Sequence, residues 1–534
     1  TLRHMTNMVL PITDYYINAC TRVLGLPGSK LSSEDIVKDL SSGTRCLEII
    51  VSDGPRGVPI VRGEHNGTNA GLSFSKVMQT IARSAFSVTP YPLLLIVTSS
   101  CSIEYQHVMA RNSIEELGNL IYKPANEKKS AEMPTPEQLK YKVVLISFRN
   151  SNQRKAQYNK AIGAEIQPLE LDGDDDEDDD NSLEDIDLKS TKESRNKNIP
   201  GASTDKIISK IQKMKDQSRP IPISHPMLSD LMAVDHLSSK WQGGNENTSL
   251  SKDKSMSPDD APFFPETTAR KTLRSFSEKT VSKIKSEHVD LESFVDFCTL
   301  NICRVIPSRK RKAIANMDPA LGWAFGAQLS VISRQIGDFF VVVNGGCFRG
   351  NGGAGFVPKP WFLLSETGAR RMSRNHTQPS HQNWLQAFWG PACKNAFPVR
   401  INIRLISGFG LPYPSKTDGE PNQYVQVIFS GAEEDRVIMS TGSIPGNTYN
   451  PVWNEMFSVN ICRPDVCIVT FRVMQSGITY DDFVCACSIP LCHLRRGVRV
   501  LPLFDSFGEK TDPSILHSYL ISHITILPMG SDMS

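Results

Sequence analysis

The chain has no apolar run long enough to cross a bilayer. Its longest, residues 93–97 and 339–343 among them, are five residues each, far short of the 18 or more that a spanning helix needs. It also shows no signal-peptide pattern at its start. Charge of one sign is lacking too. With 59 Lys and Arg against 57 Asp and Glu the net charge is +2, so no global field steers the chain toward nucleic acid or a membrane, and any such attraction must come from local patches. Twelve cysteines include no Cys-x-x-Cys pair, which fits reduced, buried thiols better than a disulfide framework or a zinc site. Cys485-Ala486-Cys487 reads as two inward-facing strand residues, with a metal clip as the alternative. These absences point to a cytoplasmic protein, or one held peripherally at a membrane. In that setting the sequons at Asn66, Asn247 and Asn375 carry no weight.

What is present is ordinary in amount and ordered in arrangement. The 534 residues suffice for two to four domains, at 39% hydrophobic and 22% charged content. Apolar, β-branched runs at 15–19, 46–51 and 93–98 are separated by helix-like segments, at the rhythm of βαβ units and a parallel sheet; a fourth run closes at 143–146. Residues 172–180 are almost unbroken acid, followed by a Lys/Ser/Asn-rich stretch, and a second polar patch covers 243–262. Like charges in such blocks repel and bury nothing, so a disordered linker is expected. The glycine-rich stretch 344–355 lacks the Lys-Ser/Thr of a phosphate loop and reads as a tight turn between elements. From 397 onward short strands alternate apolar and polar, clearest at 399–405, at the spacing of a β-sandwich.

The segments Thr44-Arg45-Cys46-Leu47-Glu48, Asp53-Gly54-Pro55, Pro90-Tyr91-Pro92, Cys101-Ser102-Ile103-Glu104 and Val108-Met109-Ala110-Arg111 resemble the X region of eukaryotic phosphoinositide-specific phospholipase C. Arg274-Ser275-Phe276-Ser277-Glu278, Gly322-Trp323 and Asn351-Gly352-Gly353-Ala354-Gly355-Phe356 are similar to the Y region, and Asn450-Pro451-Val452-Trp453 to a C2 domain. The resemblance implies an α/β TIM-type barrel split into X and Y halves by a disordered acidic linker, followed by an all-β C2 sandwich. The expected bounds are an X-like half-barrel at 1–150, the linker at 151–262, a Y-like half-barrel at 263–396 and a C2-like domain at 397–534. In that family the X–Y linker is autoinhibitory; a plain solvated tether is the other reading here. The first residue is threonine and the barrel pattern begins almost at once, as in a fragment, whereas the family carries a lipid-binding PH domain and EF-hands upstream.

Cleaving a phosphodiester by attack of the neighbouring inositol hydroxyl needs positive charge or donors on the phosphoryl oxygens, a base and an acid. The resembling family supplies these with two histidines and one calcium ion, which it holds through an asparagine, two glutamates and an aspartate. Carried over residue by residue, most of this is replaced. Thr21 stands at the first histidine and Arg22 at the asparagine. Glu48 is kept, but the aspartate two residues on is Ile50, and the glutamate ending the third strand is Thr98. His65 either fills the second histidine's role through a shifted loop or is an ordinary loop histidine. Calcium wants several oxygen ligands, and Glu48 is the lone remnant.

Among the substrate contacts implied by the resemblance, Ser275 and Arg304 are kept, either for residual phosphoinositide binding or to hold the fold. The ring-packing tyrosine is Ile306, and two phosphate-binding lysines are Ile146 and Phe148. In the C2 region Asn422, Gln475 and Gly477 occupy calcium-loop places, with Asp481 and Asp482 nearby. The basic run 309–312 is a solvated loop, a lipid-attracting patch or a nuclear-localisation-like signal.

The expectation is therefore a phospholipase C-like pseudoenzyme, a scaffold or phosphoinositide binder in phosphoinositide and calcium signalling. It needs no cofactor, and its partners are signalling proteins and an anionic phosphoinositide membrane surface rather than nucleic acid. The alternative is an active, calcium-using enzyme that hydrolyses phosphatidylinositol 4,5-bisphosphate to diacylglycerol and inositol trisphosphate. A third reading is protein scaffolding alone, through the acidic linker and the C2 surface.

Overall fold

A computed structural model describes residues 8–21, 31–62, 71–123, 133–148, 226–238, 272–287, 291–308, 315–365, 398–412, 422–447, 449–477, 480–511 and 517–529. Among them, eight strands form one closed parallel ring: β1 (Ala19–Thr21), β2 (Cys46–Ser52), β3 (Leu93–Ser99), β4 (Val143–Phe148), β5 (Val234–Ser238), β6 (Thr272–Ser277), β7 (Ile302–Ile306) and β8 (Leu329–Ser330). Each pairs in parallel with the next. The ring closes where Cys20 of β1 bridges Ile332 just past β8, and the Thr21 N–H donates to the Ile332 carbonyl at 2.9 Å.

Alternation along β2 sorts the barrel into two layers, because successive strand residues point to opposite faces. Leu47, Ile49 and Val51 pack outward with residues of α1 (Ser33–Ser41), α2 (Phe74–Ser84) and α3 (Ile103–Leu117). Cys46 points inward with Ala19, Leu94, Ile96, Ile146, Val234 and Ile302. Just before β2, the fully buried Arg45 donates to the carbonyls of Thr44 at 2.6 Å, Ala85 at 2.7 Å, Tyr91 at 3.3 Å and Leu40 at 3.5 Å. Burial pushes its guanidinium down to about 10, so it stays charged and staples two helix ends to the barrel with carbonyls in place of a counter-ion.

Two local expectations need correction. Residues 226–238, read from sequence as linker, form the short helix Pro226–Leu231 and strand β5, which lies between β4 and β6. Leu228, Leu231, Met232 and Val234 are buried there. Thirteen residues between two polar stretches are too short to show a period, so their apolar content did not register. The acidic run 172–180 and the basic run 309–312 lie outside the described residues. The glycine-rich stretch is only partly a turn. Gly345 and Gly346 belong to α4 (Phe339–Phe348), and the turn begins after it, where Gly352, Gly353 and Gly355 have φ of 68°, 74° and 77°.

The C-terminal part is an antiparallel sandwich. One sheet has the order β12-β9-β16-β15, from Val452–Ile461, Val399–Phe409, Tyr519–Pro528 and Gly497–Pro502. The other has β11-β10-β13-β14, from Val437–Ser440, Asn422–Ser430, Ile468–Gln475 and Asp482–Pro490. Cys485 and Cys487 face the sandwich core beside Val473 and Phe471, as their spacing predicts. Nine of the eleven described cysteines are buried and all eleven are free.

The outer face of β13 and β14 packs on the barrel through α4. Val342 meets Ala486 and Phe504. The Arg349 guanidinium lies 3.9 Å from the centre of the Phe504 ring and donates to the Ser488 carbonyl at 3.2 Å. Gly346 makes this approach possible, since a Cβ there would overlap the Ser488 backbone carbonyl. Gly346→Leu is therefore expected to separate the sandwich from the barrel. It should lower the thermal midpoint and raise protease cleavage between the two, and an unchanged midpoint and digestion pattern would contradict the contact.

Asp435 gives a pH-dependent test of the sandwich. It is fully buried and accepts the N–H groups of Cys462 at 2.6 Å and Arg463 at 2.7 Å. Burial nevertheless raises its carboxyl from 3.8 to about 6. The folded state thus holds this proton more tightly than the unfolded chain, so Asp435 favours folding most below pH ~4, and that contribution falls as pH rises to about 6. Asp435→Asn cannot titrate. The stability of the wild type relative to this variant should drop between pH ~4 and ~6, as read from paired thermal midpoints.

Candidate functional site

The inward face of β2 carries Cys46 and then, one strand period further on, Glu48 in place of another apolar residue. Glu48 is 6% exposed, in an environment where an unpaired carboxylate would be costly. Two neighbouring strands and one across the barrel satisfy it. Thr21 of β1, in register with Glu48, donates its hydroxyl to Oε2 at 2.7 Å. Thr98 of β3 donates to Oε1 at 3.3 Å. Arg304 of β7 crosses the barrel and places Nη2 at 2.5 Å from Oε2. Arg304 is itself 4% exposed, so both charges are withdrawn from water and each is the other's counter-ion.

The ring therefore brings four of the sequence-predicted positions onto one carboxylate. Thr21, Glu48 and Thr98 stand where the resemblance implies the first histidine and two metal ligands, and Arg304 where it implies a phosphate contact. Ser275 is next to them, directly in register with Arg304 across β6 and β7, and half-buried. Ile50 is half-buried on β2, in register with Thr98. Ile146 and Ile306 join the apolar interior, so they offer a phosphate nothing to bind. Arg22 and His65 lie outside the described residues.

This donor set does not fit calcium. Both oxygens of Glu48 already accept from hydroxyl or guanidinium donors, and the guanidinium occupies the cationic side of the carboxylate. A hard cation there would need six to eight oxygens. Among the described residues no cluster of three or more His, Cys, Asp or Glu could hold a metal. Proton transfer is equally unsupported by these groups. A guanidinium has no acceptor and does not deprotonate in proteins, and the threonine hydroxyls are committed as donors. Below the pair, burial first of all pushes the Cys46 thiol up to about 12, with Glu48 adding to the rise and Arg304 opposing it, which leaves it inert as a nucleophile.

Sequence pattern missed one residue with the right chemistry. His236, on β5 in register with Phe148 and Leu273, is the one histidine on a barrel strand among the described residues. Its strand was read as linker, and the Val-Asp-His-Leu alternation is the signal that marks it. In the sandwich, the calcium-loop places also form no carboxylate cluster among the described residues. Asp481 accepts from the Tyr424 hydroxyl at 2.5 Å and from the Gly477 N–H at 3.1 Å. The tyrosine bond first, then the backbone bond, holds its carboxyl below the usual range.

Glu48→Gln should expose the dependence of the barrel on its internal pair. It strands Arg304 as a buried cation, at a cost of roughly 3–5 kcal/mol. Glu48→Gln/Arg304→Met removes both charges and should recover much of the loss. A urea melt followed by barrel tryptophan fluorescence reads this; a double variant no more stable than Glu48→Gln alone would deny the coupling.

Comparison with known proteins agrees with the architecture. Residues 8–150 match the model for the phosphatidylinositol-specific phospholipase C X domain, 255–362 the Y domain and 399–503 the C2 domain. The chain is 27% identical over 527 residues to the human protein named 1-phosphatidylinositol 4,5-bisphosphate phosphodiesterase zeta-1, covering 96% of this chain and 74% of that one. It is 24% identical, again over 527 residues, to the rat protein named inactive phospholipase C-like protein 1, covering 97% of this chain and 41% of that one. The crystal structure of PLC21 from L. pealei superposes with a TM-score of 0.69 at 23% identity, over 100% of this chain and 58% of that one.

Proposed function

The chain belongs to the phosphatidylinositol-specific phospholipase C family, with its X, Y and C2 domains, and we propose that it is a non-hydrolysing member acting as a scaffold or phosphoinositide binder in signalling. One observation carries this reading. The carboxylate that would anchor a metal is neutralised from within by Arg304 and capped by Thr21 and Thr98. Catalysis of phosphoryl transfer depends on preorganised charge aimed at the reacting oxygens, and here the strongest charges in the barrel are aimed at each other. Retained anion recognition has a narrower basis. Arg304 Nε is buried without a hydrogen-bond partner, and Ser275 stands beside it in register, so a phosphate entering from the barrel mouth would meet one guanidinium edge and one hydroxyl.

A working phosphodiesterase is the second reading, favoured by the 27% identity to a relative whose name states that activity. It would have to draw its base from His65 or His236. The two readings separate in one assay: release of soluble inositol phosphate from vesicles containing phosphatidylinositol 4,5-bisphosphate, with calcium or with chelator. We expect no release above buffer in either condition. Calcium-dependent release that disappears in His65→Ala or His236→Ala would replace the proposal with the enzyme.

A further inference from the structure

The two faces of the C2 sandwich are treated differently. The outer face of β11-β10-β13-β14 is covered where α4 packs on β13 and β14. The outer face of β12-β9-β16-β15 has no element against it among the described residues, and its composition is unusual. Register identifies the outward positions: Arg400 lies between Asn460 and Leu527, Asn402 between Ser458 and Thr525, and Arg404 between Met456 and His523, with Val498 beyond His523 and Val500 beyond Ile521. None of these is Asp or Glu. Met456, Val498 and Val500 are 61%, 60% and 61% exposed, and Val452 and Leu527 on the same sheet are also exposed.

The cations are held flat on this surface without being neutralised. Arg400 donates through Nε to Asn460 at 3.0 Å, and Arg404 to Asn454 at 2.9 Å. Both partners are neutral amides, and neither arginine makes an ion pair among the described residues. Asn454 adopts φ of 54° inside β12, beside the register shift of β9 at Leu405 and Ser407; that backbone strain places its amide under Arg404. At the edge of the sheet, Arg495 and Arg496 are exposed just before β15.

We propose that this sheet face is a calcium-independent docking surface for an anionic lipid bilayer. Charge complementarity selects the occupant. Arginines with no acid among the outward positions named above attract anionic headgroups near the surface, while the valines and the methionine between them reach the acyl boundary. A protein partner would be expected to find aromatic anchors between the cations; the aromatic pair of this face, Phe409 and Tyr519 stacked at 5.0 Å, stands at its end, beyond the arginines. The surface uses neither the calcium-loop places nor the barrel, so it stands whether or not the barrel hydrolyses lipid.

The test is sedimentation of the full chain with vesicles of phosphatidylcholine alone or with about 30% phosphatidylserine, each in chelator and again with calcium. Phosphatidylserine rather than a phosphoinositide keeps the barrel's own headgroup chemistry out of the readout. Binding should require the anionic lipid and weaken between about 0.1 and 0.5 M salt. Arg400→Ala/Arg404→Ala should reduce the partition coefficient by roughly tenfold or more, while Arg111→Ala/Lys140→Ala on the barrel exterior should leave it unchanged. Thermal midpoints equal to wild type confirm that the variants are folded. The proposal is overturned if the wild type ignores anionic vesicles, binds them only with calcium, or binds them as well after the double substitution. Capture of polyglutamate without vesicle binding would assign the face to an acidic protein instead.

Discussion

Glu48 and Arg304 are 256 positions apart in the chain and 2.5 Å apart in the barrel. One comes from each half of the split barrel, so their pairing is made only when the ring is closed. Each residue is intolerable inside the ring without the other, and their mutual attraction, together with two threonine hydroxyls, makes the interior self-sufficient. A barrel that opens its mouth to a metal and a phosphate must keep such charges uncompensated until ligand arrives. This one compensates them at folding, and that compensation is the ground of the non-hydrolysing role proposed above.

Most of the architecture was legible because it rests on local periodicity. The inward and outward alternation of β2, the strand at 399–405 and the paired cysteines of β14 all follow from which face of a strand meets apolar neighbours. The positions Thr21, Ile50 and Thr98 came from the family resemblance rather than from periodicity, and the barrel brings Thr21 and Thr98 onto Glu48 with Ile50 in register with Thr98. What could not be read was long-range. No pattern in either half says that Arg304 reaches Glu48, because that contact depends on strand order around the ring rather than on sequence distance. The same limit hid β5, whose thirteen-residue segment is recognisable only beside β4 and β6. Gly346 shows the limit in another form: its meaning lies in the Ser488 carbonyl, on a different domain.

Among the described residues the sandwich meets the barrel on one side. Arg349 over Phe504, Arg472 over the Phe339 ring at 4.7 Å, and the pair of Lys38 with Glu509 at 2.6 Å all lie on the barrel-facing side. Directional contacts of this kind fix orientation more than they add stability, since the exposed pair contributes little. A surface engaged by the free sheet would therefore hold the barrel in one attitude rather than leave it tumbling on a tether.

The closed ring also has a topological consequence. Its two halves meet along two seams built from described residues, β4 with β5 and β1 with the segment after β8, and the chain passes from β4 to β5 through residues 149–225. The cost of closing such a connection grows only with the logarithm of its length, about 0.6 kcal/mol for each doubling. Lengthening it would therefore change the barrel's stability little. A chain hydrolysed there would keep its two fragments together as a non-covalent heterodimer, with the buried Glu48 and Arg304 contributed by different polypeptides.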